Sequence, residues 1–231
     1  ENDDEAAEAC DPYARTTGVN GKRAMILDLD STDPDGWDAD KNAVRHDGMN
    51  YTDAVIYELH VRDLTNDSSS GVDSKYQGKF MGLTQTGTTT AGGNPTALDH
   101  MVNLGITHLH LIPVYDYGSV DETKLDTPQF NWGYDPVNYN VPEGSYSTNP
   151  YDGSVRVAEM KQMIKTLHDN NINVVMDVVY NHVYDAETFS FNQVVPKYFS
   201  RTKEDGTYSS RSGCGNDTAS EREMVRKYIV D

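Results

Sequence analysis

From residue 51 onward the chain alternates short β-branched runs with stretches of helical apolar period. Residues 54–61, Ala-Val-Ile-Tyr-Glu-Leu-His-Val, predict a strand with Glu58 and His60 on one face. Asn94-Pro95 opens a helix with Leu98, Met101 and Val102 on its apolar stripe, and Gly105 stands just past its end. Residues 106–114 predict a second strand. Residues 154–170 predict a helix with Val157, Met160, Ile164 and Leu167 on one side, and residues 172–180 a third strand. A third helix begins near Glu221. Strand-helix alternation implies parallel pairing with right-handed crossovers. The third strand is apolar on both faces except for Asp177, the pattern of a strand covered on both sides. A β/α barrel and a doubly wound sheet both satisfy this order. No glycine-rich phosphate loop follows a strand, and the long segments 64–93, 115–153 and 181–220 favour the barrel, where such loops build the active face.

Ahead of this pattern, residues 1–9 form an acidic arm, residues 21–30 predict a single strand centred on Ala24-Met25-Ile26-Leu27, and residues 37–50 read as a polar linker. A boundary near Tyr51 follows, dividing 1–50 from 51–231. Among 231 residues, 37 acidic side chains against 19 Lys and Arg give a net charge of −18, a surface that repels nucleic acid. Mean hydropathy is −0.68, and no apolar run is long enough to cross a bilayer. Fifteen tyrosines in so polar a chain suit a neutral polar ligand, sugars above all. Cys10 and Cys214 fit neither a disulfide framework nor a zinc pattern. The chain begins without Met or a leader, which reads as a mature or trimmed product.

Two segments carry candidate chemistry. In Asp177-Val178-Val179-Tyr180-Asn181-His182 an acid sits inside a strand and Asn-His at its carboxyl end. A buried carboxylate is costly unless paired, so Asp177 needs a cationic or hydrogen-bonding partner; the plain alternative is an acid satisfied by backbone amides and a surface histidine. The other segment is Phe130-Asn131-Trp132-Gly133-Tyr134-Asp135-Pro136, followed by Tyr139, Tyr146 and Tyr151. Gly133 and Pro136 hold this loop rigid. A Tyr or Trp ring offers its face to the apolar side of a sugar. For Tyr134 the reading is ligand contact, whereas Trp132 reads first as part of an aromatic core beneath the loop.

In this order the two motifs resemble glycoside hydrolase family 13, the α-amylase superfamily, and more narrowly its type I pullulanases. Residues 105–113 are similar to the family's second strand, Ser212-Gly213-Cys214-Gly215-Asn216-Asp217 to a pullulanase loop, and residues 10–30 to the segment leading from a starch-binding β-sandwich module into the barrel. The resemblance implies the amino-terminal part of a (β/α)8 TIM barrel, about three strands of eight, preceded by the end of that β module. It implies retaining hydrolysis of α-1,6 linkages in pullulan, amylopectin and limit dextrins. Tyr134 then stacks under the sugar, His182 hydrogen-bonds its hydroxyls, Asp135 and Trp132 join the substrate-binding set, and Asp177 orients the centre without touching sugar. No cofactor is required; Asn181 occupies a position that binds calcium in many relatives. Phe130 stands where the signature has Tyr, which removes a hydroxyl.

A retaining glycosidase needs a nucleophile and an acid/base about 5 Å apart, and in the family these follow strands four and five. The expectation is therefore that this chain carries no catalytic pair and is the first part of a longer secreted bacterial enzyme. Its partners are then an α-glucan and the carboxy-terminal remainder, without which an edge strand and an apolar face stay uncovered. Rival readings are an isoamylase or neopullulanase, a non-catalytic starch-binding protein, and a calcium store. The last lacks the one-three-five acid spacing of an EF-hand.

Overall fold

A computed structural model describes residues 8–40, 43 and 45–231; most of the acidic arm lies outside these. Three parallel strands, β1 (Ile56–Leu59), β2 (His108–Leu111) and the later β5 (Asn173–Met176), form one sheet in the order β1-β2-β5. Glu58 pairs with His110, and His110 with Val175. A hairpin of β3 (Tyr115–Tyr117) and β4 (Pro136–Pro142) stands in the segment after β2. The helices are α1 (Trp37–Asp40), α2 (Val61–Thr65), α3 (Ala97–Leu104), α4 (Gly153–Asp169), α5 (Ser190–Val194) and α6 (Glu223–Val230). The parallel strands with their crossover helices are part of a TIM barrel.

The period of two decides what faces what. Leu59, Leu109 and Leu111 point to the helices and join Leu98 and Met101 of α3 and Met160, Met163 and Leu167 of α4 in the main core. Met163 takes the buried place the sequence assigned to Ile164, and Val102 of the predicted stripe is exposed. Gly105 ends α3 with φ 73°, a left-handed cap that glycine adopts without a Cβ penalty.

The opposite strand faces carry Glu58, His110 and Asp177. Here the structure corrects one expectation: Val175 shares the His110 face and Met176 the Leu111 face, and both are exposed, as is Val178 beyond them, so the carboxyl end of the third strand is open on both faces. All three strands are shorter than predicted because the hydrogen-bonded ladder spans four residues in each. His60 leaves the Glu58 face; it caps α2, its Nδ1 accepting from the Arg62 amide at 3.2 Å.

The amino-terminal expectations also change. Residues 24–27 form no strand: Thr17 and Ala24 make one isolated bridge, Ile26 is fully exposed, and Leu29–Thr32 is a 3-10 turn. This segment lies against the barrel part, with the Thr16 hydroxyl donating to the Gly153 carbonyl at 2.6 Å and the Asn20 amide to Glu122 at 2.7 Å. Within the polar stretch 37–50, α1 is tied down as well, its Asp40 meeting Arg45 and, at 2.7 Å, His168 near the end of α4.

Candidate functional site

At the carboxyl end of the sheet, β5 runs on into Asp177 while the chain after β3 brings in residues 129–135. Tyr134 donates its hydroxyl to Asp177 Oδ2 at 2.7 Å. His110 Nε2 stands 3.9 Å from the same carboxylate, and its Nδ1 is 3.6 Å from Glu58. The partner that Asp177 requires is thus a phenol, backed by an imidazole. Burial, followed by the bond to Asp177 and its charge, pushes the Tyr134 phenol up to about 12, so it remains a hydrogen-bond donor at neutral pH.

His182 fixes the other side of Tyr134. Its Nε2 donates to the Tyr134 carbonyl at 2.8 Å, and its Nδ1 lies 2.8 Å from the Asn181 side-chain oxygen. With a polar partner near each ring nitrogen and only 7% of its surface exposed, His182 holds the Tyr134 loop in place. Tyr139 adds a further tie, donating to the His182 carbonyl at 2.6 Å.

The loop itself is braced from within. Asp135 accepts from Asn131 Nδ2 at 2.6 Å and from the Ser119 hydroxyl, and the Gly133 amide donates to Asn131 Oδ1 at 2.9 Å. Asp135 is thereby committed to its own loop. Gly133 has φ 87°, and a Cβ there would meet Pro113 at 2.9 Å, so the turn needs glycine on both counts. Below it, His60 donates from Nε2 to the Asn131 carbonyl (2.8 Å) and Arg62 to the Gln129 carbonyl (2.6 Å). Phe130 stacks on His60 with ring centres 5.6 Å apart.

Tyr134 is 36% exposed and Trp132 62% exposed, and with Phe130, Ser119, Asn131 and Asp135 they line an open cleft of about 360 Å³. Trp132 therefore lies at the surface and not in an aromatic core beneath the loop. Tyr139 and Tyr146 are the buried members, and Tyr151 is exposed. His110 and Ser119 were missed in the sequence. The alternation in His108-Leu109-His110-Leu111 held the signal for His110, since it aims that side chain at the same face as Asp177.

The Asn181 side-chain oxygen lies 2.8 Å from His182 Nδ1, and among the described residues no three His, Cys, Asp or Glu side chains converge on it. Asp116, Glu122 and Glu143 bring carboxylate oxygens within 4.8 Å of one another, fully buried. Arg156 fills the cationic place among them, 3.0 Å from Glu122 and 3.5 Å from Asp116. The cluster locks α4 to the hairpin.

The family model for the α-amylase catalytic domain matches residues 74–218, and the chain belongs to that family. Within it the chain is similar to pullulanases. It is 45% identical, over its whole length, to a pullulanase of Bacillus subtilis and 35% identical, over 98% of its length, to a chloroplastic pullulanase of Arabidopsis thaliana. It spans 31% and 26% of those two proteins, about a third or less of their length. The pullulanase of Paenibacillus barengoltzii, solved with maltohexaose and α-cyclodextrin, superposes with a TM-score of 0.91 at 53% identity, over 96% of this chain and 34% of that one.

Proposed function

We propose that the protein carrying this chain hydrolyses α-1,6-glucosidic linkages in pullulan, amylopectin and limit dextrins with retention, and that this segment supplies the sugar-stacking wall of the cleft. One observation carries the reading: the Tyr134 ring, open to solvent on the cleft, is fixed at its hydroxyl by Asp177 and at its backbone by His182. A ring held at both ends loses little freedom when a glucosyl unit lies on it, so stacking is gained at low entropic cost. Asp177 and His182 are positioning residues. The carboxylates nearest the ring, Asp177 and Glu58, are engaged with Tyr134 and His110, so neither is assigned as nucleophile or acid/base. The reactive pair belongs to the remainder of a longer protein, which would also cover Ile56, Val175 and Val178. No step is routed through calcium. An extracellular bacterial location completes the proposal and is checked by assaying culture supernatant against lysate.

The test is digestion of pullulan by the full-length protein. Maltotriose as the product supports the reading. Panose would instead indicate neopullulanase-like cleavage of α-1,4 bonds, and binding without hydrolysis a starch-binding protein.

A further inference from the structure

A second aromatic platform stands beside the first. Tyr184 is 51% exposed, a large fraction for a ring next to a cleft. Its position is nevertheless fixed. The ring lies against the backbone of Gly118, where an added Cβ would collide with its Cδ1 and Cγ atoms. Gly118 has no left-handed backbone, so glycine is needed there to make room for the ring. The two residues hang on the segment that leads from Tyr134 into β4: the Gly118 amide donates to the Asp135 carbonyl at 3.1 Å and the Tyr184 amide to the Pro136 carbonyl at 2.8 Å.

Tyr184 and Gly118 line a groove of about 700 Å³, in the size range of small-molecule sites. Ser119 lines both this groove and the Tyr134 cleft, so the two adjoin at that residue. The rest of its lining is mixed: Asn20, Thr188 and Ser190 are neutral hydrogen-bonding residues, Ala9, Val120 and Val137 are apolar, and the carboxylates Glu8 and Asp121 outnumber the single cation Lys22. One aromatic face, several neutral donors and acceptors, and no net positive charge describe a site for a neutral polyol ring. They suit neither an anion nor an apolar ligand.

We propose that Tyr184, seated on Gly118, is the platform of a further glucan subsite that receives a glucosyl unit of a chain continuing past Tyr134. The subsite adds affinity only for substrates long enough to reach both rings. It rests on the glucan reading of the Tyr134 cleft and makes that reading length-dependent.

The experiment compares full-length wild type, Tyr184→Ala, Tyr184→Trp and Gly118→Ala by calorimetric titration with maltose and with maltohexaose, alongside pullulan hydrolysis. Loss of one stacking contact corresponds to about a tenfold weakening. Tyr184→Ala and Gly118→Ala are expected to weaken maltohexaose by that factor, leaving maltose binding and kcat unchanged, and Tyr184→Trp to keep wild-type affinity. Equal weakening for both sugars, or no change for either, overturns the subsite. Hydrolysis of pullulan with a neutral Tyr184→Ala overturns the subsite alone. Binding without hydrolysis removes the catalytic reading and leaves the Tyr184 comparison decisive, whereas a wild type that binds neither sugar overturns both.

Discussion

The phenolic hydroxyl of Tyr134 donates to Asp177 at 2.7 Å across 43 residues of chain, joining the end of a barrel strand to a loop of aromatic residues. The bond converts two side chains that would each be mobile alone into one fixed surface. Tyr134→Phe keeps the ring and removes the bond, so it is expected to cost about 1 kcal/mol of stability and about tenfold in kcat/KM. Tyr134→Ala removes the ring as well and is expected to cost a further tenfold, mostly in substrate affinity. Steady-state kinetics on pullulan check the order wild type, Phe, Ala; equal activity of the two variants would show that the ring does not touch sugar.

His182→Ala leaves the Tyr134 carbonyl without its donor. The expected loss is about 2–3 kcal/mol of stability, as for a buried side chain stripped of two hydrogen bonds, with a rise in KM. Thermal unfolding and kinetics together check it. A change in kcat with stability and KM untouched would mean instead that the imidazole acts on the substrate directly.

Stability also depends on pH through Asp116. Burial, then the neighbouring Glu122, raises its carboxyl from 3.8 to about 7 against the pull of Arg156, and Glu143 is raised in the same way, by burial first. The folded protein holds this proton more tightly than the unfolded chain. The favourable contribution is therefore complete below about pH 4 and fades as pH rises toward 7. Unfolding free energies from denaturant titration at pH 5 and pH 8 are expected to differ by a few kcal/mol in favour of pH 5, and Asp116→Asn to flatten that slope. A steeper slope in the variant would exclude Asp116 as the proton's holder.

The same cluster sets the tolerance at Gly144, where a Cβ would land on Glu122 Oε1 and Arg156 Nη2. Gly144→Ala should cost about 2–4 kcal/mol by breaking a buried ion network. Gly105→Ala, strained only by its φ of 73° in open space, should cost about 1 kcal/mol. Melting temperatures of the two variants rank them, and a milder effect at position 144 would contradict the assigned packing.

What the sequence disclosed follows from periodicity. Helix α4 and strands β2 and β5 were readable because their apolar positions repeat against a single core. The hairpin was not: β3 is three residues long, and Pro136 and Pro142 bracket β4 in a way that reads as loop, while the alternation of Val137, Tyr139 and Val141 was left unused. Residues 24–27 carried β propensity without a neighbouring strand to satisfy it, and tertiary contacts with α4 decided their path. At the site, the need for a partner at Asp177 was legible in a carboxylate set among valines, but its identity was not, since Tyr134 arrives from a distant loop. The orientation of His182 depends on a backbone carbonyl 48 residues away, which no local pattern encodes.

The most direct measurement is a crystal structure of the full-length protein with maltotriose. The account predicts a glucosyl ring in van der Waals contact with the face of Tyr134 while the Tyr134–Asp177 bond stays intact. Sugar bound in the catalytic cleft with the Tyr134 face bare, or the phenol turned away from Asp177, would contradict it.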